Sequence, residues 1–233
     1  MRYLALACDY DGTLAADGRV DDETLAALER LRVFGRKLIL VTGRELPDLL
    51  SVFPNLHLFD SIVAENGALL YWPSDGEQKT LAERPPEQFL QALHDRGVRP
   101  LSTGQVIVAT WRPFQAIVLE VIAELGLELQ VILNKGAVMV LPTGINKATG
   151  LRTALTELGI APCNVVGVGD AENDHAFLSL CGCSVAVANA LPVVKDRAHF
   201  VTRAHHGAGV TELIDELIGN DMTGWEHRGK PPV

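Results

Sequence analysis

Residues 4–13 read LALACDYDGT, an apolar run that ends abruptly in two aspartates. A short apolar run of this kind is typical of a parallel strand that is buried on both faces. Its C-terminal end places Asp9 and Asp11 at one edge of a sheet, where Gly12 allows the chain to turn. One carboxylate of such a pair can attack an electrophile while the other moves a proton. For this stretch alone an ordinary turn is the alternative, because Asp-Gly is common in turns.

Strands and helices alternate after this stretch and again near the end of the chain. Such alternation predicts an α/β fold with a Rossmann-like parallel sheet, covered by helices on both faces. Ligands of these sheets bind beyond the carboxyl ends of the strands. The predicted strands are 4–8, 37–41, 61–64, 164–168, 184–188 and 199–201, with 68–72 as a candidate hairpin partner after Asn66-Gly67. The predicted helices are 21–33, 46–52, 147–158, 173–181 and 209–218.

The middle of the chain breaks this alternation. It predicts helices over 87–96 and 113–125, a strand over 106–111, and two further strands joined by the turn Asn134-Lys135-Gly136. Strands linked by so short a turn are antiparallel. We therefore predict a discontinuous core domain, an inserted small α+β cap domain, and a tail or linker, over 1–80 with 146–219, 81–145, and 220–233 respectively.

The composition limits the possible partners and the compartment. The 233 residues carry a formal net charge of -9, so the chain has no general attraction to nucleic acid or anionic lipid. No apolar run reaches the ~20 residues that span a bilayer. We expect a cytoplasmic protein with a small-molecule partner, and the oligomeric state stays open. Cys181-Gly-Cys183 has no accompanying ligand cluster, so we expect reduced, mostly buried thiols.

Two further motifs suit a phosphate group. Thr42-Gly43-Arg44 follows a predicted strand, where a hydroxyl and free backbone N–H groups can bind phosphate oxygens. An ordinary helix cap is the alternative. Lys147 lies where the chain returns from the insertion, and its charge can neutralise both a carboxylate nucleophile and a phosphate. A solvated surface lysine is the alternative there.

A third motif suits a divalent cation. In the stretch 167–174, an apolar strand ends in Gly-Asp, and Asn173 and Asp174 then open a helix. Together with Asp9 and Asp11, the carboxylates of Asp170 and Asp174 would repel one another unless a cation lay among them. Clustered oxygen ligands favour Mg²⁺. The stretch 65–67, Glu-Asn-Gly, ends another strand and is a weaker candidate, with a plain turn as the alternative.

In this order the motifs resemble those of the haloacid dehalogenase superfamily. An insertion between the second and third motifs is similar to the Cof-like branch with a type II cap, an arrangement shared by sucrose-phosphate phosphatase, archaeal-type phosphoglycolate phosphatase and phosphomannomutase. The resemblance implies a nucleophilic Asp9 and a general acid/base Asp11. It further implies binding of the phosphoryl group by the second motif (Thr42, Gly43, Arg44), Lys147 and Asn173, and of Mg²⁺ by Asp9, Asp11, Asp170 and Asp174.

The sequence thus predicts an Mg²⁺-dependent phosphatase that acts on a small phosphorylated metabolite through an aspartyl-phosphate. The cap is expected to close over the site and supply specificity groups, for which Arg112, Asn134 and Lys135 are candidates. Exposed polar residues without a role are the alternative for each. A phosphomutase, a receiver-type signalling domain and a non-catalytic binding or regulatory module remain open as other functions.

Overall fold

Two β-sheets organise residues 1–223, the part of the chain that the computed structural model describes. The larger sheet has eight strands in the order β12-β11-β10-β1-β2-β3-β4-β5. Its first six strands are parallel, and β4 and β5 continue it in antiparallel orientation. These strands are β1 (Ala5–Asp9), β2 (Lys37–Val41), β3 (Ser61–Ala64), β4 (Leu69–Trp72), β5 (Glu77–Thr80), β10 (Val165–Gly169), β11 (Cys183–Ala186) and β12 (Phe200–Val201).

The helices that accompany this sheet form the α/β core. All five residues of β1 and all five of β10 are buried, which explains why both strands read as continuous apolar runs. Helices α1 and α8 contact each other, as do α5 and α6. The helices are α1 (Asp22–Val33), α2 (Leu46–Val52), α5 (Lys147–Glu157), α6 (His175–Leu180), α7 (Pro192–Arg197) and α8 (His206–Asn220). The predicted α/β fold with a parallel-sheet core is confirmed.

The smaller sheet is antiparallel and has the strand order β6-β7-β9-β8. Its strands alternate with two helices that share its apolar core. The elements are α3 (Glu87–Asp95), β6 (Ser102–Thr103), β7 (Val108–Trp111), α4 (Gln115–Glu124), β8 (Leu129–Asn134) and β9 (Ala137–Pro142). We call α3 to β9 the insert unit. The residue limits of the predicted cap domain stay a prediction.

Three elements have no counterpart in the sequence prediction. All four residues of β5 are exposed, so no apolar pattern marks the strand. The two residues of β6 are exposed as well, and α7 has only six residues, too few for a helical period to show. Sequence periodicity depends on a buried face, and these elements have little or none.

The end of the last helix lies beyond its predicted limit. Helix α8 continues to Asn220, and Met222 packs into the core behind it. Asp221 forms an ion pair of 2.7 Å with the buried Arg36. The first residues of the predicted tail over 220–233 are therefore part of the folded core, and 224–233 lie outside the described residues. Within 1–223, no helix combines the length and the apolarity needed to cross a membrane.

Candidate active site

The sheet brings the sequence motifs together through its strand register. Asp9, the last residue of β1, pairs with Val41 of β2, so Thr42 follows directly beside it. On the other side, Cys8 pairs with Val168 of β10, which places Gly169 and the next residues at the same edge. Carboxyl ends of neighbouring parallel strands meet there, as the sequence predicts.

A buried ion cluster lies at this edge. The ammonium of Lys147 donates to Asp9 Oδ1 at 2.5 Å and to Asp174 Oδ1 at 2.6 Å. The three side chains are at most 6% exposed. Lys147 is the first residue of α5. The side chain of Asn146 caps the start of that helix and so fixes the position of the lysine. Lys147 is therefore not a solvated surface lysine.

Burial and charge oppose each other in this cluster. Burial raises the pKa of Asp9 well above its ordinary value, and the nearby Asp174 raises it further, while Lys147 lowers it. Burial alone would lower the pKa of Lys147, but the charges of Asp174 and Asp9 raise it above its ordinary value. The lysine therefore stays charged at neutral pH and compensates the carboxylates around it.

Asp174 also shapes the loop that carries Asp170. Its second oxygen accepts hydrogen bonds from the backbone N–H groups of Asp170 and Ala171, at 2.9 and 3.0 Å. A Cβ at Gly169 would come within 2.6 Å of that oxygen, so a side chain does not fit at this position. Because the partners of Asp174 are a buried lysine and two backbone N–H groups, the geometry favours a supporting role for it over direct contact with a metal.

Asp170 faces the loop after β1. Its two oxygens accept from the Thr13 hydroxyl at 3.3 Å and from the Lys135 ammonium at 2.7 Å. Gly12 has φ +89°, and a Cβ there would lie 2.5 Å from an Asp170 oxygen. Glycine is thus required for this approach. Burial raises the pKa of Asp170, and Lys135 opposes that effect.

The carboxylate of Asp11 lies apart from the ion cluster and pairs with Arg44. Two guanidinium nitrogens, Nε and Nη2, each donate to one Asp11 oxygen at 2.7 Å. The same guanidinium donates to Asp48 at 2.6 Å and lies over the ring of Tyr10. Of the predicted residues, Asp11 and Arg44 are therefore held together, and both are partly open to solvent.

The remaining predicted residues lie around these two groups. Thr42 is fully buried, and its hydroxyl accepts from the backbone N–H of Arg44 at 3.1 Å. Asn173 donates to Asn66 at 3.2 Å, and the Oδ1 atom of Asn173 is a buried oxygen without a hydrogen-bond partner. A Cβ at Gly43 would lie 3.9 Å from a side-chain atom of each asparagine, so the ends of β2, β3 and β10 converge here.

Of the insert candidates, Lys135 alone is seen in contact with the acidic residues. Arg112 is exposed, and its backbone N–H donates to Gly136 of the insert unit. The Oδ1 atom of Asn134 is buried and has no hydrogen-bond partner. Lys135 reaches Asp170, and its ammonium also donates to the backbone carbonyl of Asp11 at 3.3 Å.

Glu65 has a structural role that the sequence does not indicate. The residue is fully buried, and its carboxylate accepts the backbone N–H groups of Gln105, Val106 and Ile107 at 2.8–2.9 Å. Glu65 and Asn66 both have positive φ, 51° and 55°, a conformation that costs about 1–3 kcal/mol for each such residue. This strained backbone conformation points the carboxylate of Glu65 toward the insert unit. The stretch 65–67 is therefore more than a turn.

Two other residues, which the sequence does not indicate, contact the loop that follows β1. Asn189 Nδ2 lies 2.7 Å from the carbonyl oxygen of Gly12, and His206 Nδ1 lies 2.9 Å from it. Asn189 also accepts from the backbone N–H of His206. A single asparagine and a single histidine form no motif in the sequence, so these contacts are visible only in the tertiary structure.

The donor set at this edge fits a hard divalent cation. Ligand oxygens of Asp9, Asp170 and Asp174 all lie within 4.8 Å of one another, and all three residues are buried. The backbone carbonyl of Asp11 faces the same space, as its contact with Lys135 shows. Mg²⁺ prefers carboxylate and carbonyl oxygens of this kind. Asp9, the Asp11 carbonyl and Asp170 could hold such a cation.

The family follows from a match to a model of the haloacid dehalogenase-like hydrolases over residues 6–98 and 134–214. The chain belongs to this family. The match confirms the resemblance seen in the sequence and sets aside the receiver-type alternative. The matched segments leave out residues 99–133, which lie within the insert unit.

Similar proteins support the same assignment. A phosphoglycolate phosphatase from Halorubrum lacusprofundi is 30% identical over 91% of this chain and 96% of its own length. Another from Methanothermobacter thermautotrophicus is 30% identical over 92% of this chain and 99% of its own length. A haloacid dehalogenase-like hydrolase from Bacteroides thetaiotaomicron has the same fold, with a TM-score of 0.79, 19% identity, and coverage of 92% and 99%. The chain is a phosphatase of this family, a phosphoric monoester hydrolase.

Proposed function

We propose that the chain hydrolyses a small phosphomonoester with Mg²⁺ and through a phosphorylated Asp9. The observation that carries the proposal is the ammonium of Lys147 between Asp9 and Asp174, in a buried acidic group that includes Asp170. A carboxylate nucleophile held beside a fixed cation is suited to in-line attack on phosphorus, because charge that develops there is already compensated.

The chemistry takes two steps. An Asp9 oxygen bonds to phosphorus while the bond to the leaving alcohol breaks, and Asp11 gives that alcohol its proton. Asp11 then takes a proton from water, whose oxygen attacks phosphorus and releases phosphate and a free Asp9 carboxylate. Mg²⁺, when bound, would stabilise the negative charge on the phosphoryl oxygens. Because Arg44 now holds Asp11, we infer that the phosphoryl group competes for that guanidinium and frees the acid.

The size of the neighbouring cavity supports a small substrate. A cavity of about 280 Å³ lies between the second motif and the insert unit, and it is lined by Gly43, Arg44, Ile107 and Met139 among others. The phosphatases similar to this chain are named for phosphoglycolate, and we propose phosphoglycolate as the first substrate to test. The predicted cytoplasmic location and the absence of nucleic-acid and membrane partners stay predictions.

The test is release of inorganic phosphate from phosphoglycolate and from a panel of sugar phosphates, with Mg²⁺ and with EDTA. We expect turnover that needs Mg²⁺ and that falls by about 10⁴-fold or more in Asp9→Asn. Rapid acid quenching should trap a hydroxylamine-sensitive phosphoenzyme in the wild type and none in the variant. Unchanged activity in Asp9→Asn would sink the mechanism. An isomerised sugar phosphate without net phosphate release would indicate a phosphomutase instead.

A further inference from the structure

Lys135 crosses from the insert unit into the core. It lies at the tip of the hairpin between β8 and β9 and has φ 46°, in the left-handed region that non-glycine residues rarely adopt. Its ammonium contacts Asp170 Oδ2 at 2.7 Å and the Asp11 carbonyl oxygen at 3.3 Å. The hairpin tip thus places a cation directly on two oxygens of the acidic edge.

These two oxygens are also the ones that the proposed magnesium site needs. Mg²⁺ binds its oxygen ligands at about 2.1 Å in near-ideal octahedral geometry. A cation at that distance from Asp170 and the Asp11 carbonyl would share both oxygens with the ammonium of Lys135. Two positive charges on the same oxygens, one of which is a buried carboxylate, repel each other strongly.

The two lysines of the site differ in how firmly they are held. Lys147 is 2% exposed and forms an ion pair with a carboxylate on each side. Its ammonium cannot reach solvent without breaking both of these buried ion pairs. Lys135 is 47% exposed and pairs with one carboxylate. Its ammonium can therefore leave for solvent without breaking apolar packing, whereas that of Lys147 cannot.

We propose that Lys135 is a built-in counter-ion that neutralises Asp170 in the metal-free enzyme and that Mg²⁺ must displace. Binding of the metal is thereby coupled to the position of the β8–β9 hairpin, which carries the lysine. The inference rests on the proposed magnesium site. It assigns to Lys135 an effect on metal affinity that a group serving substrate alone would not have.

The test measures Mg²⁺ binding by calorimetry without substrate in the wild type and in Lys135→Asn. Asparagine tolerates the left-handed backbone of the turn while it removes the charge. We expect the dissociation constant for Mg²⁺ to fall by about tenfold. Lys135→Arg keeps the charge and should stay close to the wild type. Lys79→Asn is the matched control, because it removes an equal charge from an exposed pair with Glu157.

Thermal unfolding gives a second readout and checks folding. Saturating Mg²⁺ should raise the Tm of Lys135→Asn more than that of the wild type, because tighter binding stabilises the folded state more. An affinity in Lys135→Asn equal to or weaker than that of Lys79→Asn would overturn the inference while the magnesium site stood. If Mg²⁺ neither binds nor shifts the Tm of the wild type, the magnesium site fails and the inference fails with it.

Discussion

The two sides of the candidate site are built in different ways. On the core side, Asp9, Lys147 and Asp174 are at most 6% exposed and form a closed set of ion pairs on strand and helix ends. On the insert side, Lys135 is 47% exposed at a hairpin tip, and Glu65 binds the insert through backbone N–H groups. The core-side groups form a buried ion cluster, whereas the insert contacts the core through one exposed lysine and through hydrogen bonds to one buried carboxylate.

Loss of one charge should destabilise the protein more on the core side than on the insert side. Lys147→Met tests this and has the largest expected effect. The change leaves Asp9 and Asp174 buried without their cation. Breaking a buried pair in this way costs about 3–5 kcal/mol. We expect the free energy of unfolding, measured with denaturant and EDTA, to fall by that amount. Lys37→Met is the control, since Lys37 pairs with Asp60 near the surface and should cost under about 1 kcal/mol.

The stability deficit of Lys147→Met, which is its loss in free energy of unfolding, should also depend on pH. Burial and the neighbouring Asp174 already raise the pKa of Asp9 above its ordinary value of 3.8, and removal of the lysine raises it further. When a carboxyl group has a higher pKa in the folded protein than in the unfolded chain, the folded state loses stability as the pH rises from the unfolded-state pKa through the folded-state pKa. The deficit should therefore be smaller at pH 5 than at pH 8. A deficit independent of pH would show that packing, and not charge, sets the stability of the core side.

The insert side is tested by Glu65→Gln, with an intermediate effect. The amide replaces one accepting oxygen with a donor and leaves one N–H of the stretch 105–107 unpaired, at a cost of about 1–3 kcal/mol. We expect faster hydrogen exchange at those three amides and unchanged exchange in β1 and β10. Glu87→Gln on the exposed start of α3 is the control. Unchanged protection at 105–107 would show that other contacts hold the insert in place.

The same division explains what the sequence reveals. The predicted limits of β2, β3 and α2 agree with the structure, because apolar residues mark the buried face of each element. The acidic residues and Lys147 were found because they follow buried strands or begin a helix. The role of Glu65 depends on backbone N–H groups some forty residues away, and that of Lys135 depends on where a hairpin tip lands. Neither contact produces a recognisable pattern in the local sequence.

The smallest effect is expected from the thiols beside the core side. Cys8 precedes Asp9 in β1, and burial, with the carboxylates of Asp9 and Asp174 nearby, raises the pKa of Cys8 well above the ordinary value. Burial likewise raises the pKa of Cys183 to about 12. The thiolate is the reactive form, so native protein at pH 7.5 should be alkylated by iodoacetamide at the exposed Cys163 alone, with phosphatase activity retained. Mass spectrometry of tryptic peptides locates the label. Labelling of Cys8 in native protein would mean that β1 opens to solvent faster than its burial allows, and the core side would then be no more firmly held than the insert.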